Sequence, residues 1–121
     1  MSNSLALVIE DDPDLSTIFA QALRGAGFVP EVLLDGKVAQ DRLKTATPSL
    51  IILDMHLPRV SGVELLAQIH SDDRLKRVPV VVTTADARLG ESLSDSVDFV
   101  LIKPISFVQL RELTQRLKPK S

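Results

Sequence analysis

The chain has no cysteine, no tryptophan and no tyrosine among its 121 residues. The lack of cysteine excludes disulfides, thiol catalysis and thiolate-bound zinc. It also fits a reducing compartment, so we expect a cytoplasmic protein. Aromatic residues make up 3% of the chain and hydrophobic residues 45%, which predicts an aliphatic core.

No charge of one sign dominates, because the chain has 14 basic and 16 acidic residues and a formal net charge of −2. This balance predicts no direct binding to nucleic acid or to an anionic membrane. No apolar run approaches the ~20 residues of a membrane helix, and the N-terminus lacks the pattern of a signal peptide. From the length we expect one domain over residues 1–121, with its core at about 5–117.

Short apolar runs alternate with amphipathic stretches along the chain. The runs predict strands over residues 5–9, 28–34, 50–53, 80–82 and 98–102. Between and after them, helices are predicted from 13 to about 24, over 37–45, around 63–70 and over 107–117. The polar segment 86–96 predicts only a short or irregular helix, and Pro30 predicts an edge position for the second strand. Together these elements predict an α/β fold, a five-stranded parallel sheet of order 2-1-3-4-5 flanked by helices on both faces.

Apolar spacing also predicts which helix faces are buried. Three helices carry the clearest sets: Leu15, Ile18, Phe19, Ala22 and Leu23 in the first, Val38, Ala39 and Leu43 in the second, and Val63, Leu66, Ala67 and His70 in the third. We expect these apolar residues to face the sheet and His70 to be structural or solvated.

Polar residues follow four of the predicted strands. In a doubly wound sheet these strand ends meet near the switch in strand order, where ligands bind. The residues concerned are Glu10, Asp11, Asp12, Asp54, Thr84 and Lys103. Crowded carboxylates repel one another, and a divalent cation such as Mg²⁺ relieves that repulsion.

The same set suits phosphoryl transfer. Asp54 is a carboxylate nucleophile able to form an acyl phosphate. Lys103 offers an ammonium and Thr84 a hydroxyl to phosphoryl oxygens. Mg²⁺ and Lys103 would neutralise the charge that develops during transfer.

Four motifs in order resemble the response-regulator receiver domain over roughly residues 5 to 117. They are Val8-Ile9-Glu10-Asp11-Asp12-Pro13-Asp14-Leu15, Leu53-Asp54-Met55-His56-Leu57-Pro58 with Gly62, Pro79-Val80-Val81-Val82-Thr83-Thr84-Ala85, and Lys103-Pro104. The resemblance implies a phospho-accepting switch, which takes a phosphoryl group from a histidine kinase or phosphotransfer protein and changes partner binding. It also implies that the protein is not an enzyme beyond its own phosphorylation and dephosphorylation.

The resemblance also implies the role of each site residue. Asp54 is the phosphoacceptor and a metal ligand, Asp11 binds Mg²⁺ directly, and Glu10 binds it through water. His56 gives its backbone carbonyl to the metal, while Thr84 and Lys103 contact the phosphoryl group. The Lys103-Pro104 bond is expected to be cis, and Thr83 is expected to point away from Thr84.

Two assignments stay open at this point. The acidic pair is Glu10 and Asp11 if Pro13-Asp14-Leu15 sets the alignment, but Asp11 and Asp12 is the alternative. The His56 imidazole faces the mouth of the cleft, where it modulates access of water, or else it is itself a metal ligand or a phosphohistidine. Asp86, near the same mouth, is a candidate partner for His56.

The chain departs from the family pattern at its expected output face. The segment between Thr84 and Lys103 is short and polar, and Val100 stands where the family often has an aromatic. Phe99 is one residue earlier and should face the other side of the sheet. This face is one that the family uses for partners and homodimers, so the form of the output stays open.

Three rival functions are weighed against the switch. An aspartyl-nucleophile phosphatase would carry a second acid at position 56, where this chain has His56. A flavodoxin-like electron carrier needs a phosphate-cradling loop after the first strand, where this chain has acids. A receiver-shaped scaffold that is never phosphorylated is the third. No output domain fits in 121 residues, so the protein works alone or is one domain of a longer chain.

Overall fold

The computed structural model describes residues 4–119. Its five strands form one parallel sheet in the order β2-β1-β3-β4-β5, which confirms the predicted fold class and topology. The elements in chain order are β1 Leu5–Ile9, α1 Pro13–Gly25, β2 Val29–Leu33, α2 Gly36–Leu43, β3 Leu50–Asp54, α3 Gly62–Ser71, β4 Val80–Thr84, α4 Ala87–Leu93, β5 Phe99–Ile102 and α5 Phe107–Leu117.

Alternate residues of each strand pack on opposite faces of the sheet. One face is covered by α1 and α5, and the other by α2, α3 and α4. Every residue of β3 and β4 is buried, because these strands are central and covered on both faces. The strand with Pro30, β2, lies at the edge as predicted.

Each helix begins at a capping side chain. An Asp or Ser oxygen accepts a hydrogen bond from a backbone N–H of the first turn, at Asp12, Asp35, Ser61, Asp86 and Ser106. Because all five caps come after the carboxyl ends of strands, they set where each helix begins at that edge of the sheet. Within residues 4–119, no helix has the length and apolar character required to cross a bilayer.

Four of the apolar residues predicted to face the sheet are exposed. Ile18, Val38 and Val63 keep 40%, 47% and 49% of their surface exposed, and Ala67 is exposed as well, as is His70 on the same helix. In α3 the buried stripe instead includes Leu65 and Ile69. A helix on a sheet buries only a stripe, and apolar spacing alone does not show at which edge the stripe ends.

The segment after β4 forms a helix of only seven residues, α4, as its polar sequence predicted. Val100 packs into the apolar cluster on the side of α4, whereas Phe99 lies on the other side and is 41% exposed. A Cβ on Gly90 would lie 2.9 Å from Val100 Cγ1. The α4 helix therefore lies close to β5 at Gly90, where a larger residue would keep the helix and the strand apart.

Candidate functional site

The carboxyl ends of β1 and β3 bring three acids together. Ile9 pairs with Leu53 in the ladder, so Glu10 and Asp54 are neighbours just beyond that pair. Carboxylate oxygens of Glu10, Asp11 and Asp54 all lie within 4.8 Å of one another. Glu10 and Asp54 are nearly fully buried, whereas Asp11 is exposed. We call these three residues the acidic cluster.

Lys103 supplies the cation that faces the acidic cluster. Its Nζ lies 2.8 Å from Glu10 Oε1 and 3.5 Å from Asp54 Oδ1. The backbone N–H of Lys103 donates to the Thr84 carbonyl at 2.8 Å, which extends the β4–β5 ladder to the site. The Lys103-Pro104 bond is cis, as the resemblance implied.

One ammonium does not fully compensate three carboxylates. Burial raises the pKa of Glu10 from 4.5 to about 7, although the hydrogen bond from Lys103 opposes the shift. Burial also acts to lower the pKa of Lys103, but its hydrogen bond to Glu10 and the charge of Asp54 outweigh burial and raise it. Burial therefore disfavours the charged form of Glu10, and a further cation beside it would favour that form.

The two candidate acids after Glu10 lie in different environments. Asp11 belongs to the acidic cluster. Asp12 is the N-cap of α1, and its Oδ1 accepts from the N–H groups of Asp14 at 3.0 Å and Leu15 at 3.2 Å. The structure thus brings Glu10 and Asp11 to Asp54 and uses Asp12 to begin the helix.

His56 connects Asp54 to the end of β4. Its backbone N–H donates to Asp54 Oδ1 at 3.3 Å, and its Nε2 lies 3.3 Å from Thr84 Oγ1. The Thr84 oxygen also accepts from the Asp86 N–H at 3.0 Å. The candidate pairing of Asp86 with His56 was wrong. The Asp86 carboxylate instead caps α4. Its Oδ1 accepts from the backbone N–H groups of Arg88 and Leu89, because the first N–H groups of a helix have no partner within the helix.

Gly62 holds the loop after β3 against Asp54. A Cβ at Gly62 would collide with the Asp54 carbonyl oxygen and lie 2.6 Å from Met55 Cα. Its N–H donates to the Met55 carbonyl at 3.4 Å. Only glycine allows α3 to begin this close to Asp54, so the turn that carries His56 is fixed by backbone packing.

The donor set fits a hard divalent cation. Mg²⁺ prefers carboxylate and carbonyl oxygens and keeps several waters. The acidic cluster offers three carboxylates, two of them buried beside the single Lys103 ammonium and the third open to solvent. It contains no nitrogen or sulfur ligand among its members, which agrees with a Mg²⁺ site and not with a zinc site.

Sequence reasoning missed two features of the site. The contact between the His56 ring and Thr84 depends on how the loop after β3 folds, and no local pattern predicts that. Thr83 was expected only to point away from Thr84. Its buried Oγ1 finds no hydrogen-bond partner among residues 4–119. Thr83 pairs with Leu101, two residues before Lys103, which places Thr83 on the Lys103 face, but that pairing exists only in the folded sheet.

Comparison with known proteins agrees with this geometry. The family model of the response regulator receiver domain matches residues 6–115. The chain is 34% identical over 125 residues to the probable methanogenesis regulatory protein FilR2 of Methanothrix harundinacea, covering 94% of this chain and 81% of that protein. It is 32% identical over 120 residues to the phosphate regulon transcriptional regulatory protein PhoB of Rhizobium meliloti, covering 93% of this chain. It spans 53% of the length of PhoB.

Solved structures share the fold. The receiver domain of a sensor histidine kinase from Pseudomonas aeruginosa, which has a magnesium ion coordinated in its active-site cleft, superposes with a TM-score of 0.84. The two are 26% identical, and the match covers 96% of this chain and 98% of that one. Chemotaxis response regulator CheY4 of Vibrio cholerae gives the same TM-score at 21% identity, covering 97% of this chain and all of CheY4. The chain therefore belongs to the response regulator receiver domain family of two-component signalling.

Proposed function

We infer that this receiver domain accepts a phosphoryl group on Asp54 in the presence of Mg²⁺ and thereby switches its binding to a partner. The observation that carries this inference is the buried Asp54 carboxylate within 4.8 Å of two further acids and 3.5 Å from the Lys103 ammonium. A carboxylate oxygen of Asp54 attacks phosphorus as the P–N bond of the donor breaks, and the electron pair of that bond leaves with the donor nitrogen. The donor we propose is a histidine kinase or phosphotransfer protein.

The contacts of each acid support different roles toward the metal. Both carboxylate oxygens of Glu10 are already engaged, Oε1 by Lys103 at 2.8 Å and Oε2 by the Asp12 N–H at 3.2 Å. Asp11 is exposed. We therefore assign Asp11, Asp54 and the His56 carbonyl as direct ligands and Glu10 as a ligand through water. Bound Mg²⁺ would neutralise part of the charge on the phosphoryl oxygens.

Lys103 and Thr84 are assigned to the phosphoryl group itself. The ammonium already lies at the acidic cluster, where it would donate to the incoming oxygens. The Thr84 hydroxyl would turn from His56 toward the same oxygens and draw the loop after β4 inward. This proposal includes a single domain over residues 1–121, a cytoplasmic setting, no direct contact with nucleic acid, and an output partner or second copy of the chain.

Incubation with phosphoramidate and Mg²⁺, followed by intact-protein mass measurement, tests the proposal. We expect one hydroxylamine-labile phosphoryl group on the wild type and none on Asp54→Asn. Asp14→Asn, an exposed acid on α1 outside the acidic cluster, is the matched control and should label normally. Equal labelling of the Asp54→Asn variant would refute the assignment. Lack of labelling in the wild type would favour a scaffold, and steady turnover of an aryl phosphate would favour a phosphatase.

A further inference from the structure

A buried hydroxyl without a partner lies beside the acidic cluster. Thr83 is 0% exposed, and within residues 4–119 its Oγ1 has no hydrogen-bond partner. Buried hydroxyls are nearly always paired, because an unpaired one is unfavourable. Valine has the same shape and would avoid that cost. The hydroxyl at this position therefore calls for a functional explanation.

The strand register places Thr83 on the face of the sheet that carries the acidic cluster. Thr83 is the ladder partner of Asp54, and its carbonyl accepts from the Met55 N–H at 3.1 Å. Partner residues of a parallel ladder point to the same face, with their strands about 4.8 Å apart. Val81, two residues earlier, packs on the side of α1 and α5, so Thr83 points to that side as well.

Lys103 must reach across β4 to make its ion pairs. It follows β5, whereas Asp54 ends β3, and β4 lies between those two strands. Leu101, two residues before Lys103, is the ladder partner of Thr83 and packs on the side of α1 and α5. The Lys103 side chain therefore starts on the same face as Thr83 and crosses the end of β4 to reach the carboxylates.

Resting on the proposed phosphorylation of Asp54, we propose that the Thr83 hydroxyl positions the Lys103 ammonium once a phosphoryl group is present. The ammonium has three N–H donors, and in this structure it contacts Glu10 at 2.8 Å and Asp54 at 3.5 Å. As it turns from Glu10 toward the phosphoryl oxygens, the N–H released by Glu10 is accepted by the Thr83 oxygen, which has two lone pairs. Thr83 acts through Lys103 and does not touch the reacting atoms.

The test compares Thr83→Val, which keeps the shape, with Thr83→Ser, which keeps the hydroxyl. The rate of phosphorylation by phosphoramidate with Mg²⁺ is followed by intact-protein mass measurement. We expect Thr83→Val to be slower by about tenfold or more, the effect of one hydrogen bond to a charged group. Thr83→Ser should stay within about twofold of the wild type for the same reason.

Thr114 provides a matched control. It is also a threonine with 0% exposure, but it lies on α5 and its hydroxyl donates to the Leu110 carbonyl at 2.8 Å. Thr114→Val should lower the metal-free melting temperature by about 4 °C and leave the rate unchanged. Thr83→Val should instead leave the metal-free melting temperature unchanged or raise it, because it removes an unpaired hydroxyl. Its phosphorylation should be slower, because the hydrogen bond proposed for Lys103 is lost.

Each outcome has a distinct meaning. A wild type that is never phosphorylated overturns the proposed function and this inference with it. A wild type and Thr83→Val that react at the same rate overturn the role of Thr83 alone. If Thr83→Ser is as slow as Thr83→Val, the effect comes from packing and the hydroxyl has no positioning role. A Thr83→Val melting temperature that falls as far as that of Thr114→Val shows that the hydroxyl was already paired in the resting state, which also overturns the inference.

Discussion

The imidazole Nε2 of His56 lies 3.3 Å from the Thr84 hydroxyl oxygen, so a side chain of the loop after β3 is joined to the end of β4. The Thr84 oxygen also accepts from the Asp86 N–H, the N-cap residue of α4. These contacts hold the hydroxyl in the resting domain. Any movement of Thr84 toward a phosphoryl group has to break the contact with His56.

His56→Ala should therefore favour the phosphorylated arrangement. We expect the dissociation constant of beryllofluoride, a phosphoryl mimic, to fall by about fivefold in the presence of Mg²⁺ because one competing hydrogen bond is removed. The metal contact assigned to His56 uses its backbone carbonyl and survives the substitution. His70→Ala, an exposed histidine of α3, is the control. Weaker binding by His56→Ala would show that the ring supports the phosphorylated arrangement instead.

Replacing Asp11 and Asp12 separately should affect metal binding and helix stability in opposite ways. Asp11→Ala removes a member of the acidic cluster and should weaken Mg²⁺ binding by about tenfold or more. Asp12→Ala removes the N-cap of α1 and should lower the free energy of unfolding by about 1 kcal/mol with little change in Mg²⁺ affinity. Calorimetric titration and urea unfolding measure the two effects. If Asp12→Ala loses more Mg²⁺ affinity than Asp11→Ala, the metal-binding acids are Asp11 and Asp12 and not Glu10 and Asp11.

Gly90→Ala should destabilise the protein although alanine favours helices. Its Cβ would lie 2.9 Å from Val100 Cγ1 and from Ile102 Cδ1. The Ile102 tip can rotate aside, but the branched Val100 side chain is stiff. We expect a net loss of about 1 kcal/mol in the free energy of unfolding, since a clash of up to ~3 kcal/mol exceeds the helix propensity gain of ~1 kcal/mol.

A double-mutant cycle locates the source of that loss. In a Val100→Ala background the added methyl of Gly90→Ala finds space, so the second substitution should become neutral or stabilising. Glu91→Ala, at an exposed position of the same helix, controls for helix propensity. An unchanged cost in the Val100→Ala background would mean that the clash is not with Val100.

Phosphorylation should be reported mainly by backbone movement around α4. Gly90 is the buried residue of this seven-residue helix, and Leu89 and Leu93 are its partly buried anchors. Local stability there should be low because few apolar contacts hold it. Amide hydrogen exchange with and without Mg²⁺ and beryllofluoride should change most over residues 84–98. If that segment is unaffected while the mimic is bound, the output leaves through another face.

Local chemistry in the sequence was sufficient to predict the fold and the gathering of the acids and Lys103 at one edge of the sheet. Apolar runs such as residues 50–53 identify strands that are covered on both faces. Pro30 correctly indicated an edge strand, because proline has no backbone N–H to donate to a second neighbouring strand. Polar residues directly after strands lie at the same sheet edge in any parallel sheet. Glu10, Asp11, Asp54 and Lys103 were therefore expected to be close together before any distance was known.

Tertiary packing alone decided the features that depend on contacts between distant segments. Whether Ile18 or Val63 is covered depends on how each helix lies on the sheet, which periodicity does not encode. The contact of His56 with Thr84 joins residues 28 positions apart through a loop whose course is set by packing at Gly62. The unpaired hydroxyl of Thr83 is visible only when every neighbour is in place, because a hydrogen bond requires a partner at the right distance and no sequence pattern specifies one.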